Sequence, residues 1–479
     1  MRGITSAAAY VPFRRLDRSQ ISGFLGTGGG RGTRSVASHD EDTTTMGVEA
    51  ARLALRAAPA AAPDALWFAT STPAYHDKTN ATAIHAALRQ ERRIPAYDFG
   101  GALRSGVGAL QAALAGSGSV LVVSADRRDG LPGSADEAGS GDAGAALLVG
   151  EGDGGRPVLA EHVASATATD EFVDRWRAPG EARSRLWEER FGENRYVALG
   201  AEAWADALKQ GAVSAQSVDR VVVTGMHARA TKVLAGRLGL AEGALADDLA
   251  ATVGRPGAAH PALVVTSMLE EEATLAPAGG RLVAVVHLAD GADVVLLRTT
   301  AALGRWRPGA PVAAQVAAGA PLSYAKFLAW RGMLELEPPR RPEPARVSSS
   351  AAWRSEDWKF GFVGSKDRRS GALHMPPARV SMQGGAVDDM VPVPMADATG
   401  TIVTFTIDRM VYSPSPPVVF AIVDFDGGGR FPVELTDVDA EQVAIGDRVE
   451  MTFRRLFTAD GIHDYFWKAR PHRAAGEGH

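Results

Sequence analysis

Cysteine is absent from all 479 residues of this chain. That excludes a disulfide framework and any thiolate metal site. No charge sign dominates: 51 Lys and Arg stand against 56 Asp and Glu, a net of −5. No basic field therefore steers the chain to nucleic acid or to an anionic membrane. No apolar run reaches the roughly 18 residues that would read as a membrane span. The opening "MRGITSAAAYVPFRRL" lacks the long apolar core and cleavage site of a signal peptide. These absences together predict a cytoplasmic protein. What is there reads as globular, with 46% hydrophobic and 22% charged residues. The length predicts two or three compact units.

Strand-like runs alternate with Ala-rich helical segments up to about residue 300. "ALWFATS" (65–71), "SVLVVSAD" (119–126) and "AALLVG" (145–150) are short aliphatic runs bounded by turn residues. Between them, "TNATAIHAALRQE" (79–91) and "GVGALQAALAG" (106–116) space their apolar residues as helices do. The pattern recurs in "RVVVTGMH" (220–227), "ARATKVLAGRLGL" (228–240) and "RLVAVVHLADGADVVLLRTT" (281–300). Such alternation predicts a layered α/β architecture with buried central strands.

The character changes near residue 321. "PLSYAKFLAWRGMLEL" predicts an amphipathic helix with Tyr324, Phe327, Leu328 and Leu334 on one face. The prolines of "EPPRRPEPARV" (337–347) turn the chain into a linker. Beyond it, four or five strand-like runs with Gly-rich turns predict a small β-barrel.

Several stretches of the first 300 residues carry a resemblance: "DEDTTTMGVEAARLAL" (40–55), "ATSTPAYHDKTNATAI" (69–84), "DFGGALRSGVGALQAAL" (98–114), "SGDAGAALLVG" (140–150), "TGMHARATKVLAGRLGL" (224–240) and "VGRPGAAHPAL" (253–263). In order and spacing this region resembles the thiolase superfamily, in its hydroxymethylglutaryl-CoA synthase and ketoacyl-ACP synthase III branch. The resemblance implies two pseudo-repeated halves, 1–155 and 156–320, that build a five-layered α/β fold. Residues 321–472 resemble the acyl-CoA-associated module long called domain of unknown function 35, through "SYAKFLAWRGMLELEPPRRP", "GALHMPP" and the later strands. That resemblance implies a leading helix and linker (321–362), a zinc ribbon (363–388) and an OB-fold (389–479).

The family nucleophile is a cysteine activated at a helix start. Here that place is Leu103, which has no lone pair, so covalent acyl transfer there is excluded. Ser105 points about 200° around the helix axis from it. The family histidine is matched by His227, either an oxyanion donor and proton carrier or a relic with satisfied hydrogen bonds. Arg255 stands at the family asparagine. An arginine there either grips an anion bidentately or turns away into a salt bridge. Ser71 stands where hydroxymethylglutaryl-CoA synthases carry a general acid/base glutamate. Synthesis of hydroxymethylglutaryl-CoA by this chain alone is therefore not expected. The run His39-Asp40-Glu41-Asp42 invites a metal reading, but adjacent residues cannot all face one ion. A helix-capping role for Asp42 or Thr43 is the expectation.

At the ribbon, the four zinc-ligand places read Asp367, Ser370, Ser381 and Gly384, beside retained His374, Pro376 and Pro377. Those residues predict a ribbon without zinc. Residues 363–479 hold 12 Lys and Arg against 16 Asp and Glu. With "DYFW" partly buried by strand alternation, that argues against nucleic acid on the barrel.

The resemblance implies a non-nucleophilic, synthase-like subunit whose thiolase-family partner supplies the cysteine, with the OB-fold bridging the two and helping to hold coenzyme A. It also implies a homodimeric core. A cysteine-independent acyl-CoA retro-aldolase, with His227 as base and Tyr75, His76 or Arg255 as helpers, stays open, as does an acyl-CoA-sensing pseudoenzyme.

Overall fold

The aliphatic runs become strands buried on both faces, which is why they lack a polar alternation. The computed structural model describes residues 1–58, 62–153 and 155–472. They divide into two units: Met1–Ala37, Asp42–Thr82 and Arg92–Phe327 form one, and Ser38–Glu41, Ala83–Glu91 and Leu328–His479 the other.

The first unit holds β1 (Arg2–Tyr10), β2 (Ala65–Thr70), β3 (Ala96–Gly100), β4 (Val120–Asp126), β5 (Ala143–Glu151), β6 (Ala160–Ala168), β7 (Arg220–Gly225), β8 (Leu282–Leu288) and β9 (Ala292–Thr299). Its main helices are α1 (Thr43–Arg56), α2 (Ser105–Ala115), α3 (Glu189–Gln210), α4 (Ala228–Ala235) and α5 (His260–Leu275). The strands run in the order β7-β8-β9-β6-β1-β5-β4-β2-β3.

An internal repeat is written in the pairing. In one half β2 lies parallel to β4, β4 antiparallel to β5, and β5 antiparallel to β1. In the other, β7, β8, β9 and β6 pair in the same sequence of directions. The halves join where Gly3 and Ile4 of β1 meet Glu161 and Ala160 of β6. Helix α1 packs outside the first half and α3 outside the second, while α2 and α5 lie together between them. The result is five layers. Strand β8 shows why both faces must be apolar: Val283 and Val285 pack with α2 and α5, whereas Leu282, Ala284 and Val286 pack with α3 and α4. Each valine or leucine among them contributes about 1.5–3 kcal/mol by leaving water. Asp42 caps α1, its carboxylate accepting from Thr45 N–H at 2.9 Å while Thr45 Oγ1 accepts from the Asp42 N–H.

The segment after residue 321 departs from expectation. Its helix, α6, is only Tyr324–Trp330. Gly332 at φ 65° takes the left-handed conformation that ends helices, so Leu334 lies beyond the last turn and is exposed.

The second unit begins its sheets with β10 (Val363–Asp367), β11 (Leu373–His374) and β12 (Met390–Pro394), in the order β11-β10-β12. Strand β12 pairs with β10 from Asp367–Met390 to Val363–Pro394. A closed barrel follows: β13 (Thr399–Asp408), β14 (Val418–Phe425), β15 (Arg430–Leu435), β16 (Arg448–Ala459) and β17 (Ile462–Pro471), in the order β13-β14-β15-β17-β16. Tyr465 and Trp467 are buried, and Phe466 packs against Trp358, Phe362 and Phe431. The aromatics are thus core, not an exposed stacking platform. Among the described residues no helix is long and apolar enough to cross a membrane.

Candidate functional site

A cleft of about 800 Å³ opens in the first unit, and Leu103, Ser71, Tyr75, His76 and His227 all line it. The chain reaches Leu103 by leaving β3 and turning into α2. That turn is pinned by Arg104, whose Nε and Nη2 donate to the Asp293 carboxylate at 2.7 and 3.2 Å, with Nη1 on the Asp290 carbonyl at 2.9 Å. Helix α2 lies so close to the 257–259 turn that a Cβ on Gly106 would stand 2.0 Å from the Ala258 carbonyl oxygen. A Cβ on Gly257 would stand 3.1 Å from Leu103 Cδ2. The nucleophile's place is thus filled by an aliphatic group.

His227 begins α4. Its Nδ1 accepts from the Ala230 N–H at 3.1 Å, so the proton sits on Nε2, 3.0 Å from the Glu189 carbonyl oxygen. Both ring nitrogens are occupied by backbone groups. Of the two readings open for this histidine, the hydrogen bonds observed are those of a helix cap at the cleft wall. Arg255 does not line the cleft; it pairs with Asp248 at 3.3 Å. Of the two fates open to an arginine there, the salt bridge is the one observed. Ser71 is buried, its Oγ donating to Asp126 Oδ2 at 2.7 Å and accepting from Arg128 Nη1 at 3.0 Å. Ser105 Oγ bonds the Gly100 carbonyl at 3.3 Å and does not line the cleft.

Sequence reasoning passed over the groups that carry the cleft's charge. Arg128 and Arg177 lie with Ser71 and Ser184, while Asp174 and Asp290 also line the cleft, with Tyr196. Burial pushes the Asp174 carboxyl up, against the opposing pull of His227 and Arg175. Burial does the same to Asp290, helped by the charge of Asp174 and opposed by Arg104. Asp290 also holds a left-handed φ of 45° in the turn between β8 and β9, a conformation that carries strain outside glycine. The only readable signal was a β-turn sequence, "ADGAD". Deeper in the unit, burial brings His260 and His287 down to about 4, so both rings are neutral at physiological pH.

The four places that the resemblance assigns to zinc ligands have a different chemistry. Asp367 Oδ2 accepts from Ser370 Oγ at 2.6 Å and Oδ1 from the Arg369 N–H at 2.8 Å. The hydroxyls of Ser370 and Ser381 hold the Asp367 carboxyl well below the usual range. Nothing lies within 4 Å of where a Gly384 Cβ would be. One carboxylate, two hydroxyls and a bare glycine do not fit a zinc ion. The described residues contain no group of three or more His, Asp or Glu placed to hold a metal. The acidic run near residue 40 is likewise spoken for. Asp40 and Glu41 fall in the second unit, where Arg454 and Lys468 pair with them.

Comparison with known proteins agrees with this division. Residues 392–454 match the family described as ChsH2, C-terminal OB-fold domain. A solved structure of MvaS in complex with 3-hydroxy-3-methylglutaryl coenzyme A superposes with a TM-score of 0.57 at 19% identity, covering 72% of this chain and 94% of that one. The ketoacyl synthase III FabH of Pseudomonas aeruginosa gives 0.52 at 19% identity, over 62% and 98%. The first unit has a thiolase-like fold, and residues 392–454 behind it match the ChsH2-type OB-fold. Hydroxymethylglutaryl-CoA synthases of Thermococcus sibiricus and Pyrococcus furiosus are 35% and 33% identical over 202 residues, 40% of this chain and 57% of theirs. The chain therefore spans little more than half the length of those curated relatives. The first unit has the fold of these synthases, and Leu103 lines its cleft.

Proposed function

We propose that the thiolase-like unit binds an acyl-CoA thioester without covalent capture, and that the chain works as the non-nucleophilic subunit of a complex. A thiolase-family partner supplies the cysteine, and the OB-fold bridges the two and helps to hold the coenzyme. One observation carries this reading: the cleft persists while the place of the nucleophile, Leu103, is aliphatic and both nitrogens of His227 are bound to backbone. A tetrahedral intermediate needs an attacking atom and an unengaged proton carrier. The retro-aldolase alternative with His227 as base lacks a free lone pair for the same reason. Hydroxymethylglutaryl-CoA synthesis by the chain alone is not part of the proposal, since Ser71 replaces the needed carboxylate.

The test is affinity purification from the native cell followed by native mass spectrometry. A stoichiometric complex with a cysteine-bearing thiolase supports the reading. A homodimer with no thiolase, able to turn over an acyl-CoA by itself, overturns it.

A further inference from the structure

One wall of the cleft is a hairpin with almost no anchor in the core. Its strands, Arg175–Trp176 and Arg185–Leu186, are two residues long and joined by two residue pairs. Trp176, Arg177 and Ser184 face the cleft. Of residues 173–187 only Asp174 is buried, while Val173, Leu186 and Trp187 are 49–65% exposed. An element that buries so little apolar surface gains little from leaving water and belongs to the low-stability end of a native structure. Its base is firm by contrast. The Phe172 ring packs on Tyr196 of α3 at 5.1 Å between centroids, and the Trp187 N–H donates to the Asp174 carbonyl at 2.7 Å, tying the two legs together. The tip is braced as well: the Glu181 N–H donates to the Ala178 carbonyl at 3.1 Å, and Glu181 Oε2 accepts from the Ala178 N–H at 3.0 Å. Residues 175–186 are thus built to move as one piece.

Polar contacts hold that piece against the rest of the unit. Arg128, 4% exposed, donates from Nη1 to Ser71 Oγ at 3.0 Å and from Nη2 to Ser184 Oγ at 3.2 Å, so one guanidinium joins the cleft floor to the hairpin. Arg177 reaches back from the hairpin to the Ser71 carbonyl. Arg175 pairs with Asp136 at 2.8 Å. The floor side of this clasp is fixed, because Ser71 donates from its N–H and its Oγ to Asp126, both at 2.7 Å. Closure also brings like charges together. Burial and the charge of Arg128 lower the proton affinity of Arg177, against the pull of Asp126 and Asp129. A few hydrogen bonds of modest net worth, opposed by that repulsion and with no apolar seal, leave the closed position marginal.

We propose that residues 175–186 form a gate to the cleft, hinged at Val173 and Glu188 and latched shut on Ser71 by Arg128 and Arg177. Opening breaks the bonds from Arg128 to Ser184 and from Arg177 to the Ser71 carbonyl, and it separates the two guanidiniums. Ser71 is then a positioning residue for the gate. The inference goes beyond the reading of the cleft as a thioester site and holds for any ligand that enters there.

The experiment has two readouts on the full, cysteine-free chain. In Leu103→Cys, the rate of N-ethylmaleimide labelling reports entry to the cleft. In Ala182→Cys with Glu202→Cys, electron–electron double resonance between spin labels reports the distance from the exposed hairpin to the exposed face of α3. Adding Arg177→Met to each removes one latch bond and should raise the open fraction, and with it the labelling rate, about 10–100-fold, as the loss of one hydrogen bond to a charged group requires. The spin-label distances should gain a second population, with the Tm unchanged. Ser184→Ala removes the other latch and should act in the same direction; it stands in where Arg177→Met does not fold. Labelling rates and distances that match the parent in the latch variants overturn the inference and leave a fixed wall. A change in one readout without the other separates hairpin motion from entry and overturns it too.

Discussion

Arg454→Met should strongly destabilise the second unit. The guanidinium is fully buried and faces Asp437 at 2.8 Å, Glu41 in direct contact, and Asp40 at 3.8 Å. Lys468 adds a second cation, 3.1 Å from Asp40 and 2.9 Å from Glu434. Methionine fills most of the volume and removes the charge, so Asp437, Glu41 and Asp40 lose the guanidinium they face. Orphaning buried charges in this way costs about 3–5 kcal/mol. For a unit of this size that is a fall of roughly 6–20 °C in Tm. That figure is the penalty of the orphaned carboxylates, not the worth of the cluster. Adding Asp40→Asn to Arg454→Met should therefore cost less than the two single changes summed. Burial pushes the Asp40 carboxyl up, but Lys468, His39 and Arg454 outweigh it and hold the group well below the usual range. Its stabilisation is then present above the ordinary carboxylate pKa near ~4 and is lost as pH falls through the folded value. The gap between wild type and variant should narrow in acid. Differential scanning calorimetry from pH 3 to 8 reads all three effects. A Tm shift under about 3 °C at pH 7, or strict additivity in the double variant, would refute the reasoning.

Leu103→Cys places a single thiol in a cysteine-free chain, so a maleimide should label the cleft stoichiometrically and butyryl-CoA should slow the labelling. Labelling indifferent to the thioester would argue against ligand binding beside Leu103. His227→Ala removes the cap from Ala230 and should lower stability by about 0.5–2 kcal/mol, read by urea unfolding, with thioester affinity retained. Excess EDTA should leave the Tm unchanged, and metal analysis of the purified chain should find no stoichiometric zinc; a chelator-induced fall would show that Asp367 and its hydroxyl partners hold an ion after all. Glu270 is pushed up to about 7, chiefly by burial, against its bond to the Val312 N–H. A raised carboxyl loses stability as pH rises from its unfolded value through its folded one, so Glu270→Gln should raise Tm at pH 8 and have little effect at pH 4.

The layered fold was legible because the strands that build it are unbroken aliphatic runs between turn residues. "LVAVVHL" must be buried on both sides to be stable, and a sheet covered twice is the simplest way to do it. Helix ends were less legible. The apolar spacing continues to Leu334, but Gly332 alone stops the helix, and a single left-handed residue leaves no trace in periodicity. The site was legible only where a motif survived. Leu103, Ser71 and His227 were found by place, yet their states depended on partners that spacing cannot supply. Whether His227 was free turned on Glu189, 38 residues away, and the fate of Arg255 on Asp248.

The acidic run shows the same limit most clearly. His39, Asp40, Glu41 and Asp42 are neighbours in sequence, but they answer to different units. Asp42 caps α1 in the first, while Asp40 and Glu41 meet Arg454 and Lys468, more than 400 residues on, in the second. A local reading offers a metal site or a cap because it sees three carboxylates and a histidine together. The physical answer is two carboxylates in ion pairs and one in a cap, chosen by which groups the fold brings near.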